Sequence, residues 1–247
     1  MSYTRTAQML EKLGVLNSLD RFSLDERFNR KPNINADLAS GTEATREPSN
    51  PDFEVLGTNA SSDDVTFGAA GGVKCETDGA SADQVIVLPH LDTVQTAWSG
   101  TTWGTDQETA WVVVMTTGSS IALTTLWTGL KLTNTSVTAT DANQAFFRYE
   151  PGTNSGKWEC NYSVAGTDYQ IDSGVTVLAD TTYVLAIWFD STRNAHFFID
   201  GEEVIVGTNA MTTAIDLIPY WGVQADTAAA KHAYLRRMVI SRKYSAE

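Results

Sequence analysis

Two pairs of closely spaced carboxylates are the first candidates for acid–base chemistry in this 247-residue chain. Asp106 and Glu108 are two residues apart, and Glu202 and Glu203 are adjacent. Carboxylate catalysis needs two such groups held at a fixed separation across a substrate. The first pair lies in a turn-like stretch and the second at the tip of a predicted hairpin. We therefore predict no catalytic residue and a protein that is not an enzyme.

The histidines and glycines give no sign of a metal or phosphate site. His90, His196 and His232 are far apart, and none has a second ligand at a spacing such as His-x-His or Glu-x-x-His. The glycine-rich stretch 68–72 lacks the lysine that a phosphate-binding loop needs. No Gly-x-Ser-x-Gly motif marks a nucleophilic serine. The sequence therefore predicts no metal and no cofactor.

Two cysteines, Cys75 and Cys160, are too few for a disulfide framework or for a zinc site built on cysteine. Both lie in strand-like segments. We expect them to be buried, reduced thiols, and a single bridge between them is the alternative.

The seven tryptophans all lie between residues 98 and 221. An exposed aromatic ring can stack on the apolar face of a sugar, whereas a buried ring belongs to the core. Trp98 and Trp103 lie in a loop rich in Gly, Ser and Thr, so we expect them to be exposed and to be the candidate glycan-binding residues. Four others lie in apolar strand patterns and are predicted to be in the core: Trp111, Trp127, Trp158 and Trp188.

Net charge excludes two classes of partner. The chain carries −13, and residues 51–230 hold 22 of its 30 acidic residues but only five of its 17 basic ones. Nucleic acids and anionic membrane surfaces both require clustered Lys and Arg, so neither is predicted as a partner. No apolar run approaches the length of a membrane span, and the first residues do not resemble a secretory signal. We expect synthesis in a cytoplasm.

Strand signals dominate from residue 53 onward. Apolar runs that are rich in β-branched or aromatic residues recur about every ten to fifteen residues, without a helical period between them. Asp200-Gly201 supplies a tight turn between two apolar segments. This pattern predicts an all-β protein with an antiparallel β-sandwich over residues 53–247. The main runs are 85–88, 110–115, 144–149, 157–162 and 183–189.

Residues 1–52 differ from the rest and are predicted to be an N-terminal arm and linker. Apolar residues at helical spacing, Met9, Leu13 and Leu16 among them, predict a short helix from about Tyr3. Three arrangements are open: a disordered terminus, an arm that orders on a partner, and a strap along its own domain. The arm that orders on a partner is favoured, because its apolar residues have no local core to join. The predicted contact residues are Leu16, Leu19, Arg21, Phe22, Leu24, Arg27, Phe28, Arg30 and Lys31.

Four segments together resemble the second half of a concanavalin A-like jelly roll. They are 183–190, 195–201, 217–223 and 235–242. Residues 82–92, 126–134 and 141–149 resemble structural proteins of tailed bacteriophages. The resemblance covers about residues 53–245 and leaves the N-terminal arm outside.

This resemblance implies a non-enzymatic virion protein that decorates or cements a capsid. The arm would dock on the major capsid protein or another virion protein, and the jelly roll would lie outside, in a homo-oligomer for which a trimer is favoured. The alternative is a carbohydrate-binding module for host attachment, on a head fibre or tail. Retaining glucanases of the superfamily carry Glu-x-Asp-x-Glu on one strand, and this chain has no such motif.

Overall fold

The computed structural model describes residues 2–15, 19–30, 34–35, 53–68, 70–88, 103–132 and 141–244. These residues form one helix, sixteen strands and two short 3₁₀ turns, Ser62–Asp64 and Asn154–Gly156. The helix is α1 (Ser2–Lys12), and the strands are β1 (Arg21–Glu26), β2 (Ile34–Asn35), β3 (Phe53–Leu56), β4 (Val65–Phe67), β5 (Val73–Glu76), β6 (Gln84–Leu88), β7 (Ala110–Thr117), β8 (Thr124–Lys131), β9 (Gln144–Tyr149), β10 (Lys157–Val164), β11 (Thr167–Thr176), β12 (Thr182–Phe189), β13 (Ala195–Ile199), β14 (Glu202–Gly207), β15 (Ile218–Ala225) and β16 (His232–Lys243).

Two eight-stranded sheets stack to form the sandwich. Sheet A has the order β14-β13-β12-β7-β16-β5-β4, and β1 also pairs with β16. Sheet B has the order β11-β10-β9-β8-β15-β6-β3-β2. Among the described strands, all pairs are antiparallel except β2 with β3. The predicted all-β antiparallel sandwich is confirmed.

The main core lies between the sheets and contains large aromatic side chains. Trp111, Trp158 and Trp221 are fully buried there. The Trp111 indole nitrogen donates to Thr128 Oγ1 at 3.0 Å, so this ring ties sheet A to sheet B. Trp127 is buried as predicted but lies on the outer face of sheet B, and Trp188 is half-buried on the outer face of sheet A.

Local predictions for the hairpin and the cysteines are confirmed. Asp200 and Gly201 have φ values of 52° and 97°, the left-handed pair that a tight hairpin turn requires between β13 and β14. Cys75 and Cys160 are free and buried, and burial raises the pKa of both thiols. Both thiols therefore stay protonated and unreactive at neutral pH.

The N-terminal helix packs on the outer face of sheet A. Met9, Leu10 and Leu13 are buried there against strands β7, β12, β13 and β16. The helix ends at Lys12, and Gly14 follows in the left-handed conformation with φ 67°. In the described part of the chain, no helix is long and apolar enough to span a membrane.

Strand β1 belongs to the sandwich, which corrects the expectation that its apolar residues have no core to join. It runs antiparallel to β16, from Arg21 opposite Lys243 to Glu26 opposite Met238. The physical reason is that β16 is twelve residues long, while β5 pairs only with its first four residues. Phe22 and Leu24 pack against the core. Phe28 is fully buried, with its ring centroid 5.2 Å from that of Phe53.

The predicted contact residues of the arm thus fall into different environments. The guanidinium of Arg21 is buried, and it donates to Ser241 Oγ at 2.9 Å and to the Glu108 carbonyl at 2.6 Å. Burial lowers the pKa of Arg21. Leu19, Arg27 and Arg30 are exposed. Leu16 and Lys31 lie outside the described residues.

Phe28→Ala should destabilise the whole sandwich, because it removes a fully buried ring from the core. The expected loss in the free energy of unfolding is about 3–5 kcal/mol, measured by urea denaturation. Leu19→Ala is the control from the same segment: its side chain is exposed, so the change should stay within about 0.5 kcal/mol. Equal denaturation midpoints for Phe28→Ala and the wild type would contradict the placement of Phe28 in the core.

Candidate functional site

The outer face of sheet B carries an unusual density of buried polar side chains. Successive residues of a strand point to opposite faces. On β10, the residues Trp158, Cys160 and Tyr162 point into the core. Glu159 and Asn161 therefore point outward, and both are buried nonetheless.

The strand register aligns the outward side chains of β11, β10, β9, β8 and β15 into three rows. Adjacent rows are two residues apart along each strand, which is about 7 Å. The ion-pair row contains Asp172, Glu159, Arg148 and Trp127; the central row contains Gln170, Asn161, Phe146, Gly129 and Tyr220; the amide row contains Asp168, Ser163, Gln144, Lys131 and Ile218.

The ion-pair row is held by charge-assisted hydrogen bonds. Arg148 places Nε and Nη2 each 2.8 Å from Glu159 Oε2. Lys157 Nζ lies 2.8 Å from Asp172 Oδ2, and this hydrogen bond lowers the pKa of Asp172. Both carboxylates of this row are thus bound to a cationic side chain.

The amide row is also connected internally. Gln144 donates from Nε2 to Ser163 Oγ at 2.8 Å, and the Ser163 hydroxyl in turn donates to Asp168. Lys131 is 1% exposed, with Nζ 4.0 Å from Asp141 Oδ2. Burial lowers the pKa of Lys131 to about 8, an effect that the nearby Asp141 carboxylate opposes.

In the central row the buried polar atoms find no partner among the described residues, and the same holds for the Trp127 indole nitrogen in the ion-pair row. Asn161 is 3% exposed, and neither its Nδ2 nor its Oδ1 has a hydrogen bond there. Tyr220 is 2% exposed, and its hydroxyl is likewise without a partner in the described part of the chain. A buried polar group without a hydrogen bond costs about 1–3 kcal/mol. The central row therefore holds several donors and acceptors that a ligand could satisfy.

Aromatic rings lie beside these polar atoms. The ring centroids of Phe146 and Tyr220 are 6.4 Å apart. The residue between them in the row is Gly129, where a Cβ atom would lie 2.5 Å from Phe146 Cβ and 2.3 Å from the Ala145 carbonyl oxygen. Any larger residue would clash at this position. Both rings are buried and belong to the apolar cluster on the outer face of sheet B.

Of the two predicted glycan-binding tryptophans, Trp103 is described by the structure and does not lie on this face. Trp103 is 1% exposed, and its ring stacks on Phe22 with centroids 5.8 Å apart. The expectation of an exposed Trp103 is wrong, because β1 supplies Phe22 and the Leu217 amide donates to the Trp103 carbonyl at 3.1 Å. Trp98 and His90 lie outside the described residues.

One residue of each carboxylate pair singled out by spacing has a structural partner. Glu108 Oε1 accepts from Lys243 Nζ at 2.6 Å. Glu203 Oε1 lies 2.5 Å from His196 Nδ1, and Nε2 of the same ring lies 3.3 Å from Asp190. No cluster of three His, Cys, Asp or Glu residues suited to a metal ion occurs within the described ranges.

Sequence reasoning missed the polar residues of the three rows, although one signal was present. The alternation in 157–162 predicted a half-buried strand, and its outward set contains Glu159, Asn161 and, continuing the period, Ser163. Asn161 has no hydrogen-bond partner among the described residues. Whether it has one depends on the side chains of the neighbouring strands β9 and β11, which lie elsewhere in the sequence.

No protein-family model matches the chain, and a search of curated proteins gave no match. Among solved structures, a protein of unknown function from Shewanella oneidensis MR-1 is similar, with 15% identity, coverage of 96% of this chain and 95% of that one, and a TM-score of 0.57. The carbohydrate recognition domain of Emp47p has 8% identity, 92% and 97% coverage, and a TM-score of 0.56. A laminarinase from Rhodothermus marinus has 12% identity, 90% and 97% coverage, and a TM-score of 0.55.

These similarities confirm the concanavalin A-like jelly roll as the fold. Identities this low show the fold alone. The virion part of the resemblance stays a prediction.

Lys131 should make the stability of the protein increase with pH above about 8. Its ammonium group loses its proton near pH 8 in the folded state and near pH 10.5 in the unfolded chain. Between these values the unfolded chain binds more protons, so this residue raises the free energy of unfolding by at most about 1.4 kcal/mol per pH unit. Lys131→Met should remove that increase, measured by urea denaturation from about pH 7.5 to 10.

The matched control is Lys157→Met, which removes a partly exposed lysine next to the same face. It should leave the pH dependence above 8 as in the wild type. Parallel stability curves for Lys131→Met and the wild type would show that the Lys131 ammonium is not desolvated as the structure indicates.

Proposed function

We propose that this chain is a carbohydrate-binding domain whose ligand lies along the central row of sheet B. The observation that carries the proposal is the presence of buried polar atoms, unsatisfied among the described residues, beside a pair of aromatic rings. A sugar has the same dual character, because its ring presents apolar C–H faces and hydroxyl groups at its edge. Hydroxyl groups can both donate and accept, as Asn161 and Tyr220 require.

Tyr220 is suited to bind a hydroxyl group. Burial raises its pKa well above the ordinary value of 10.0, and the Asp141 carboxylate acts in the same direction. The phenol therefore carries its proton at neutral pH and can donate one hydrogen bond while accepting another. Its ring lies beside Phe146, and both side chains are buried.

The similar structures support the same class of ligand. One is described as a carbohydrate recognition domain and another as a laminarinase, and the fold is shared along nearly the whole of this chain. The proposal for this chain rests on its own central row, since a shared fold does not by itself transfer a function.

We propose binding without hydrolysis. Glycoside hydrolysis needs two carboxyl groups on opposite sides of the scissile bond, one of them as an acid and the other as a base or nucleophile. Within the described part of this face, Glu159 is bound by Arg148, Asp172 by Lys157 and Asp168 by Ser163. Each of these three carboxylates is thus held against a partner side chain, and the hydrogen bond from Lys157 lowers the pKa of Asp172.

The role in capsid decoration predicted from the sequence stays a prediction, as do the trimer, the capsid partner and the virion location. The positions of its proposed apolar anchors speak against this role. Phe22, Leu24 and Phe28 already pack in the core of their own sandwich. They would have to leave that core to clamp another protein.

Tyr220→Phe should weaken glycan binding about 3- to 10-fold, because it removes one hydrogen bond of about 0.5–1.5 kcal/mol and keeps the ring. The measurement is a glycan array followed by calorimetry on the best ligand. Tyr169→Phe is the matched control, since Tyr169 is an exposed tyrosine that stacks on the inward-facing Tyr162. Unchanged affinity in Tyr220→Phe, or no glycan bound by the wild type, would contradict the proposal.

A further inference from the structure

We infer that Asn161 determines ligand specificity by binding a vicinal diol of an uncharged sugar unit. The inference rests on the proposed function and names the class of glycan for the same site. Its starting point is that Asn161 presents a donor and an acceptor side by side on one planar group, both unsatisfied within the described residues.

The described neighbours of Asn161 leave its buried amide without a hydrogen-bond partner. Gln170 lies directly opposite on β11 and Phe146 directly opposite on β9. Phe146 offers no hydrogen bond from its side chain, and Gln170 is exposed and makes none to Asn161 in the structure. The neighbouring outward residues on its own strand, Glu159 and Ser163, are bound to Arg148 and to Gln144 and Asp168.

The chemistry of the amide selects among sugar substituents. Two adjacent gauche hydroxyl groups can bind it in a bidentate manner, one donating to Oδ1 and the other accepting from Nδ2. A carboxylate only accepts, so the carboxylate of a uronic acid would leave Oδ1 unsatisfied, whereas the hydroxyl groups of the same unit can still bind as a diol. An N-acetyl group is a trans amide whose N–H and C=O point in opposite directions, so it could make only one of the two bonds. The vicinal diol is therefore the favoured partner.

The charges around Asn161 also favour an uncharged sugar. Glu159, Asp168 and Asp172 surround Asn161 on its own face, while Arg148 and Lys157 are the cations bound to this group. This set carries a net negative charge, in a region of the chain where acidic residues greatly outnumber basic ones. These carboxylates would repel an anionic sugar, whereas an uncharged sugar would not be repelled.

The test uses the full chain and an array of defined oligosaccharides, with uncharged glucan and mannan fragments beside alginate and heparin fragments. We expect the wild type to bind uncharged fragments at least about ten times more tightly than anionic ones. On the best fragment, removing either hydroxyl of the bound diol should weaken binding at least about ten-fold. Asn161→Leu should lose binding to a similar or greater extent.

Stability separates a binding role from a structural one. Because Asn161 is unsatisfied within the described part of the protein, Asn161→Leu should keep or raise the thermal midpoint. Asn161→Asp, which keeps the shape and removes the donor, should also weaken binding; it carries the test if Asn161→Leu does not fold. Asn143→Leu, at the turn before β9, is the matched control and should bind as the wild type does.

The two proposals fail differently. If the wild type binds no glycan on the array, the proposed function is wrong. If it binds glycans but Asn161→Leu and Asn161→Asp bind equally well, or if alginate or heparin fragments bind best, carbohydrate binding stands and the role of Asn161 is overturned. A large drop in the thermal midpoint of both variants would also overturn it, since Asn161 would then serve the fold.

Discussion

The two-residue alternation of side chains along sheet B is the constraint on which both the core and the candidate site depend. On β10 it directs Trp158, Cys160 and Tyr162 into the sandwich and places Glu159 and Asn161 outside. A shift of one residue would exchange the two sets and bury a carboxylate among aromatic rings. Because the core fixes the register of each strand, it also aligns the outward residues into rows.

Those rows divide into saturated and unsaturated sets of polar groups. Arg148 and Glu159 bind each other on one side, and Gln144 and Ser163 bind each other on the other. Asn161 lies between them without a hydrogen bond inside the described ranges. Folded proteins satisfy most buried polar groups, and departures from local consistency concentrate where a protein binds or reacts. Asn161 and Tyr220 are departures of this kind on the outer face of sheet B, beside the Trp127 indole nitrogen, and the function is proposed there.

The N-terminal segment shows how a long strand recruits a distant part of the chain. Strand β16 extends past β5, and β1 completes the sheet along its free edge. Arg21 then bonds to Ser241 and to the Glu108 carbonyl, while Phe28 enters the core against Phe53. Apolar residues that have no neighbouring apolar segment in the sequence thus pack against the core of their own domain. The segment stabilises the sandwich and fixes the end of the loop at Trp103.

Four features could be predicted from the amino-acid sequence: the all-β class, the hairpin at Asp200-Gly201, the N-terminal helix and the burial of both cysteines. Each depends on local patterns: a period of two residues, the φ preferences of a turn, or helical spacing. The pairing of β1 with β16, the burial of Trp103 and the isolation of Asn161 were decided by the tertiary structure alone. Each depends on which strands become neighbours, and hydrogen bonds between segments far apart in the sequence leave no local pattern to read.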